Sequence, residues 1–160
     1  MNQDAQRTYD TLCAMLDKIK WKYQRDDEKL IIRTSAIGKD LTMPLHIVVS
    51  ETRNVMYTKS PLPFVVPQER RTDMSVATSI VNFSMLNGCF EFDMASGFLG
   101  FRIVVPFGGC QISEATCHYM VMLTCEMVDK FNDKFQKISK GEMSLDELTA
   151  FVKQPPMAQA

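Results

Sequence analysis

Between residues 21 and 58 the chain contains four short runs of strand-forming residues, and only a few polar residues separate one run from the next. The clearest run places Met43, Leu45, Ile47 and Val49 at alternate positions, so that these side chains share one face of a strand. Polar turns separate the runs, at 26–29, 38–40 and 51–54. Strands joined by such short connections pair antiparallel, because a parallel crossover requires about a dozen residues or more. This part of the chain is therefore predicted to form antiparallel hairpins.

Helical patterns precede and follow these strands. Amphipathic helices are predicted over 4–20, over 68–86, from the capping residue Ser113 to about 138, and from Ser144 onward. Two further strands form a hairpin between the second and third helices, at 90–93 and 98–107. This order predicts a two-layer α+β fold, an antiparallel sheet of five or six strands with helices packed on it. We expect one domain over 1–153 and a disordered tail over 154–160.

The charge balance argues against nucleic-acid binding. The chain has 18 basic and 19 acidic residues and a net charge of -1, whereas nucleic-acid binders usually carry a basic excess that neutralises phosphates. No stretch approaches the roughly 18 apolar residues of a membrane span. The first residues do not form a basic segment followed by an apolar one, as a secretory signal would. We therefore expect a cytoplasmic protein that binds neither nucleic acid nor membranes.

The cysteines do not form a framework of disulfides or a metal site. The chain contains five of them, an odd number, and no C-x-x-C pair occurs. A disulfide-stabilised fold or a structural zinc site normally shows paired, closely spaced cysteines. The cysteines are therefore predicted to be free thiols that pack as small hydrophobic side chains.

The sequence contains no motif for catalysis or for cofactor binding. It lacks a glycine-rich phosphate loop and a G-x-S-x-G nucleophile turn, and its two histidines, His46 and His118, stand in no recognisable pattern with a nucleophile. We therefore predict a protein that is not an enzyme and has no catalytic, cofactor-binding or metal-binding residues. Arg102, on the outer side of an apolar strand, is expected to pair with Glu91 or Asp93 across the hairpin.

Two apolar segments are candidates for binding a partner protein. The first is a loop that carries Leu62, Phe64, Val65 and Val66 between prolines, which keep it extended and its side chains available. The second is the third helix, whose length of about 25 residues spans roughly 38 Å and which is apolar on several sides. Its candidate contact residues are Met120, Met122 and Met127. A symmetric second copy covering this surplus surface would make the protein a homodimer.

One part of the chain is similar to a known family. The positions that carry the similarity are Gly88, Phe90, Asp93, Gly97, Arg102, Ile112 and Ser113. The residues at these positions resemble a motif of the YbjN family, and the order of predicted helices and strands over about 5 to 138 agrees with that family. Its domains are similar in fold to type III secretion chaperones. The resemblance implies a two-layer α+β domain, often dimeric, without a cofactor or catalytic residues. Chaperone relatives bind extended segments of a client protein, and YbjN-like proteins are described as regulators.

Two functions are open at this point. The resemblance implies a non-enzymatic protein-binding domain, either chaperone-like or a regulatory adaptor, and an exposed apolar groove would favour it. The alternative is a small-molecule-binding or enzymatic domain with a pocket between sheet and helices. A deep polar pocket containing His46, His118 or clustered carboxylates would favour that alternative. For the apolar loop and the third helix, the alternative is that the loop folds back onto the core and the helix meets the N-terminal helix.

Overall fold

The computed structural model describes residues 3–153, and within them the chain forms four α-helices and six β-strands. The helices are α1 (Gln3–Lys18), α2 (Arg71–Phe83), α3 (Glu114–Lys140) and α4 (Leu145–Lys153). The strands are β1 (Tyr23–Asp26), β2 (Ile31–Ile37), β3 (Thr42–Ser50), β4 (Val55–Pro61), β5 (Cys89–Phe92) and β6 (Leu99–Pro106). The predicted tail, 154–160, lies outside the described residues, and the single domain predicted over 1–153 stays a prediction.

The six strands form one sheet in the order β1-β2-β3-β4-β6-β5, and every neighbouring pair is antiparallel. The first four strands follow one another as hairpins. Strand β6 then pairs with β4, and β5 lies at the edge of the sheet, so the two hairpin regions join through the β4–β6 pair. These observations confirm the predicted α+β class and the antiparallel sheet of five or six strands.

The two faces of the sheet have different surroundings. On β3 the alternating residues Met43, Leu45, Ile47 and Val49 are all buried, as their spacing predicts. Helix α1 packs on β3, α3 crosses β3, β4 and β6, and α2 packs against the edge strand β5, with α4 on α2. The described helices leave the opposite face of the sheet open. The core therefore lies between one face of the sheet and the helix layer.

A cluster of phenylalanines anchors the second hairpin to the helix layer. The ring of Phe90 lies edge-on to three others, with centroids 5.1 Å from Phe101, 5.9 Å from Phe131 and 4.8 Å from Phe135. Edge-to-face packing at these distances is favourable beyond the area that it buries. Strands β5 and β6 are thereby fixed beneath the C-terminal half of α3.

The ends of α3 and α4 follow local sequence signals. The hydroxyl of Ser113 accepts a hydrogen bond from the Thr116 N–H at 3.1 Å, which confirms the predicted N-terminal cap of α3. Gly141 ends the helix with φ 75°, a left-handed conformation that favours glycine. At the start of α4, the Glu147 carboxylate accepts from the Ser144 N–H at 2.7 Å and the Glu147 N–H donates to the Ser144 hydroxyl at 3.2 Å. This is the reciprocal capping box that the sequence predicts.

The predicted boundaries differ most from the structure at β4 and α2. Strand β4 continues through Pro61, whereas the sequence predicted a strand ending at Thr58. Proline is tolerated there because β3 pairs with β4 only as far as Lys59, so Pro61 has a partner on β6 alone and lies at an unpaired edge on the other side. Helix α2 begins after a 3-10 turn at Gln68–Arg70 and ends at Phe83, three residues earlier than predicted. It stops there because the Ser84 hydroxyl and N–H both bond to the Val81 carbonyl, at 2.7 and 3.0 Å, which tightens the final turn.

Candidate protein-binding surfaces

The groups with catalytic or metal-binding chemistry do not converge. His46 is exposed on the open face of the sheet, and His118 is exposed on α3, which lies on the opposite face. Within residues 3–153, no group of three or more histidine, cysteine, aspartate or glutamate residues is arranged to hold a metal ion. The same residues contain no helix that is long and apolar enough to span a membrane. The polar pocket that would favour the alternative function is therefore not formed by either histidine.

The cysteine thiols are free and differ in their surroundings. Cys13 and Cys117 are buried, whereas Cys110 is exposed in the loop before α3. Burial raises the pKa of Cys117 to about 12 and that of Cys125 to about 11, since a thiolate is poorly solvated in an apolar environment. Both thiols are therefore protonated at neutral pH, and neither is a ready nucleophile.

The proline-rich loop folds onto the β5–β6 hairpin. The Leu62 N–H donates to the Leu99 carbonyl and the Val66 N–H donates to the Gly97 carbonyl, each at 2.9 Å. Leu62 and Val66 are consequently buried in the core. Phe64 is half-buried against the core, and Val65 is 68% exposed. Of the four contact residues predicted in this loop, a partner can therefore reach Val65 and the exposed side of Phe64.

The apolar surface of α3 is divided between neighbouring helices. α3 packs against both α1 and α2 as well as the sheet. Met120 is buried, Met127 is half-buried, and Met122 is 41% exposed. The apolar surface of α3 that does not face the sheet is thus covered in part by α1. This contact with the N-terminal helix was the predicted alternative to a second copy of the chain. Met122 is the predicted contact residue of α3 that remains most accessible.

A separate apolar surface lies between α2 and α4. An open groove of about 540 Å³ separates the two helices, and most of its lining is apolar. Its apolar lining residues are Val76, Ile80, Phe83 and Val152. The side chain of Phe83 is 95% exposed, and Leu86, just beyond the helix end, is fully exposed. We call this surface, with Leu86, the α2–α4 groove.

Sequence reasoning missed the α2–α4 groove, although one signal was present. Val76, Ile80 and Phe83 follow one another at spacings of four and three residues, which places them along one side of a helix. This stripe lies beside the buried stripe of Met74, Ala77 and Val81. Two adjacent apolar stripes on one helix indicate that the helix contacts more than the sheet, and α4 covers only part of the second stripe.

Comparison with known proteins gives a fold but no sequence family. No family model and no curated protein matches the chain. Solved structures that resemble it include a chain of the HopA1–SchA chaperone–effector complex, with 12% identity and a TM-score of 0.57, covering 83% of this chain and 98% of that one. A chain of the ExsC–ExsE complex has 10% identity and a TM-score of 0.58, with coverages of 83% and 96%.

A third similar structure is YbjN from E. coli, with 13% identity and a TM-score of 0.61, covering 82% of this chain and 92% of that one. At these identities the likeness concerns the arrangement of the backbone rather than particular side chains. The comparisons confirm the resemblance to YbjN and to type III secretion chaperones that the sequence indicated. The chain has the fold of YbjN and of type III secretion chaperones.

Proposed function

We propose that the protein is a non-enzymatic protein-binding domain, chaperone-like or a regulatory adaptor, that associates as a homodimer through the α2–α4 groove. The fold supports the first part, because it is shared with a chain of the HopA1–SchA chaperone–effector complex and with a chain of the ExsC–ExsE complex. The observation that carries the second part is the exposure of Phe83 beside an apolar groove. The odd number of free thiols supports a reducing, cytoplasmic location.

The energetic reason for self-association lies in Phe83. Transfer of such a side chain from water into an apolar site is worth about 1.5–3 kcal/mol. In a twofold dimer each copy contributes the same surface, so Phe83 of one copy meets the groove of the other and the gain occurs twice. Phe83 itself lines the groove at the end of α2, and Val76 and Ile80 continue its apolar lining along the helix. The arrangement therefore provides both the inserting side chain and an apolar surface to receive it.

Light scattering of purified protein tests the dimer. The wild type is expected to have the mass of a dimer at micromolar concentration, and Phe83→Ser with Leu86→Ser is expected to give a monomer. The matched control is Val65→Ser, which removes an exposed apolar side chain from the proline-rich loop. If the control dissociates the dimer and the α2 variant does not, the interface lies at the proline-rich loop and not at the α2–α4 groove. A wild type that is monomeric throughout this range contradicts self-association.

Reconstitution with a purified partner tests the protein-binding function. Proteins retained by the tagged chain are identified by mass spectrometry, and the best candidate is purified and titrated by calorimetry. We expect binding at a fixed stoichiometry to one segment of the partner. If no retained protein binds the purified chain, the protein-binding function is wrong.

A further inference from the structure

The open face of the sheet carries a continuous row of basic side chains. In the register of the strands, Arg33 lies opposite His46, His46 opposite Lys59, and Lys59 opposite Arg102. These residues come from four adjacent strands, β2, β3, β4 and β6, and they point away from the helix layer. Because neighbouring strands lie about 4.8 Å apart, the row extends roughly 14 Å straight across the sheet. We call these four residues the basic row.

The basic row is unfavourable for the fold by itself. Lys59 and Arg102 lie directly opposite each other, and like charges placed in this way on paired strands destabilise a sheet. Among the ion pairs between residues 3–153, one lies in the row, between Arg102 and Glu91 at 2.8 Å. The Nε atom of Arg102 is buried and makes no hydrogen bond within the described structure. Asp26, at the edge of the same face, lies 3.9 Å from the Lys29 amine. The basic side chains of the row are therefore not matched by an equal number of acidic partners, and the row is suited to binding an anionic group.

A second row on the same face is apolar. Ile31, Val48, Tyr57 and Val104 lie opposite one another on the same four strands. Each is two residues along its strand from a member of the basic row, so the rows run parallel and about 7 Å apart. Val104 is exposed and the others are half-buried. A pocket of about 230 Å³ lies between the two rows at the β4–β6 pair. It is lined by Arg53, Val55, Tyr57, Lys59, Arg102 and Val104.

The two rows together select the chemistry of the ligand. A single aromatic side chain, Tyr57, stands in the apolar row, whereas single-stranded nucleic acid is usually bound through several stacked aromatic residues. The net charge of -1 also provides no extended positive field to attract a polyphosphate. Carboxylates beside aliphatic side chains complement the face better. They can neutralise the basic row while apolar residues cover the neighbouring one.

We propose that the open sheet face binds a segment of a partner protein that carries carboxylates along one side and apolar residues along the other. This inference rests on the proposed protein-binding function and specifies the chemistry of the partner. The segment lies across the strands, along the two rows. About ten helical residues or five extended residues cover the 14 Å span, since these conformations rise about 1.5 and 3.3 Å per residue. The helix layer and the α2–α4 groove are not part of this site.

Fluorescence anisotropy with designed peptides tests the proposal. The probe is a fluorescein-labelled peptide of glutamate, leucine and alanine, with glutamates on one side of a helix and leucines beside them. It is compared with a peptide of the same composition in scrambled order and with one in which lysine replaces glutamate. We expect the acidic peptide with glutamates and leucines on separate sides to bind at least about tenfold more tightly than the scrambled peptide or the lysine peptide. Each charge contact and each covered apolar side chain adds a modest amount of binding free energy. Binding should weaken as salt is added.

Charge reversal in the basic row provides the decisive variant. Arg33→Glu with Lys59→Glu is expected to weaken binding of the acidic peptide at least about tenfold and to favour the lysine peptide. The matched control is Arg7→Glu with Lys20→Glu, the same change in net charge away from the open face, with binding unchanged. In the row variant the carboxylate at position 59 lies directly opposite Arg102 on the paired strand, so the thermal unfolding temperature of the variant should equal or exceed that of the wild type. A folded row variant that binds like the wild type overturns the proposal.

Two further results would overturn the proposal. One is failure of the wild type to distinguish the acidic peptide from the lysine peptide. The other is tighter binding of an oligouridine probe than of any peptide, with loss in the same row variant, which would assign the face to nucleic acid. The dimer is measured separately by light scattering, and the row variant should retain the mass of the wild type. Failure of peptide binding with an intact dimer therefore removes this inference and leaves the proposed function in place.

Discussion

Asn82 offers a sensitive test of how the helix layer is attached to the sheet. Its side-chain amide donates to the Phe90 carbonyl at 3.0 Å, and its side-chain carbonyl accepts from the Phe90 N–H at 2.8 Å. Phe90 lies on β5, the edge strand, which pairs with β6 on its other side. Asn82 therefore replaces the missing neighbouring strand at this position and connects the end of α2 to the edge of the sheet.

Asn82→Ala removes both hydrogen bonds. At about 0.5–1.5 kcal/mol for each, the loss in free energy of unfolding is about 1–3 kcal/mol. The higher helix propensity of alanine offsets roughly 0.5 kcal/mol of this loss. In a domain of this size the remainder corresponds to a fall in melting temperature of about 2–10 °C, measured by circular dichroism. The control is Gln136→Ala, which removes an exposed amide side chain from α3. A loss for Asn82→Ala below about 0.5 kcal/mol would show that the paired geometry contributes little.

Asn82→Asp tests the direction of each hydrogen bond. The ionised carboxylate still accepts from the Phe90 N–H, but it also faces the Phe90 carbonyl, which repels it. Protonation restores a donor, so the pKa of the introduced carboxyl in the folded state should lie above the unfolded value of about 3.9. A carboxyl whose pKa is higher in the folded protein than in the unfolded chain stabilises the fold at pH values below its unfolded-state pKa. This stabilisation is lost as the pH rises through its folded-state pKa. The difference in unfolding free energy from the wild type should therefore shrink between pH 7 and pH 4. A difference that does not change with pH would refute the assigned bonding pattern.

Two further predictions concern the thiols and the cap of α4. Iodoacetamide should alkylate the exposed Cys110 first. It should alkylate Cys117 only after unfolding, because that thiol is buried and its pKa is raised to about 12. Peptide mass spectrometry at increasing urea concentrations measures this order. Hydrogen bonds from Ser144 lower the pKa of Glu147 in the folded protein. The stability that they add is therefore present above the unfolded-state pKa of about 4.3, and it is lost as the pH falls through the folded-state pKa. Glu147→Gln should therefore be less stable than the wild type at pH 7, with the difference shrinking below about pH 4 in thermal unfolding; a difference that grows in acid would contradict the capping role.

Much of the fold could be predicted because its signals are local. The alternation from Met43 to Val49 specifies a strand with one buried face, and short polar turns leave antiparallel pairing as the available connection. The caps at Ser113 and Ser144 need only residues within the next turn of helix. Pairing of Arg102 with Glu91 across the hairpin also follows from nearby residues, since the connection between β5 and β6 is short.

The binding surfaces were harder to predict because they depend on contacts between distant parts of the chain. Burial of Leu62 and Val66 requires hydrogen bonds to Leu99 and Gly97, more than 30 residues later, which no local pattern indicates. The exposure of Phe83 depends on how far α4 extends over α2. The basic row needs the register of four strands, and a shift of one residue in any of them would turn its member toward the core. None of these relations can be obtained from periodicity.

The two proposed surfaces are compatible because the fold separates them. The α2–α4 groove belongs to the helix layer, whereas the basic row and its apolar neighbour lie on the opposite face of the sheet. A twofold dimer formed through the groove would leave both open sheet faces accessible, so that two acidic segments could bind to one dimer. If one partner chain supplied both segments, the second binding event would be intramolecular, and the overall affinity would exceed that of either site without new contacts. The proposed dimer would in this way hold one client through two weak sites, one on the open face of each sheet.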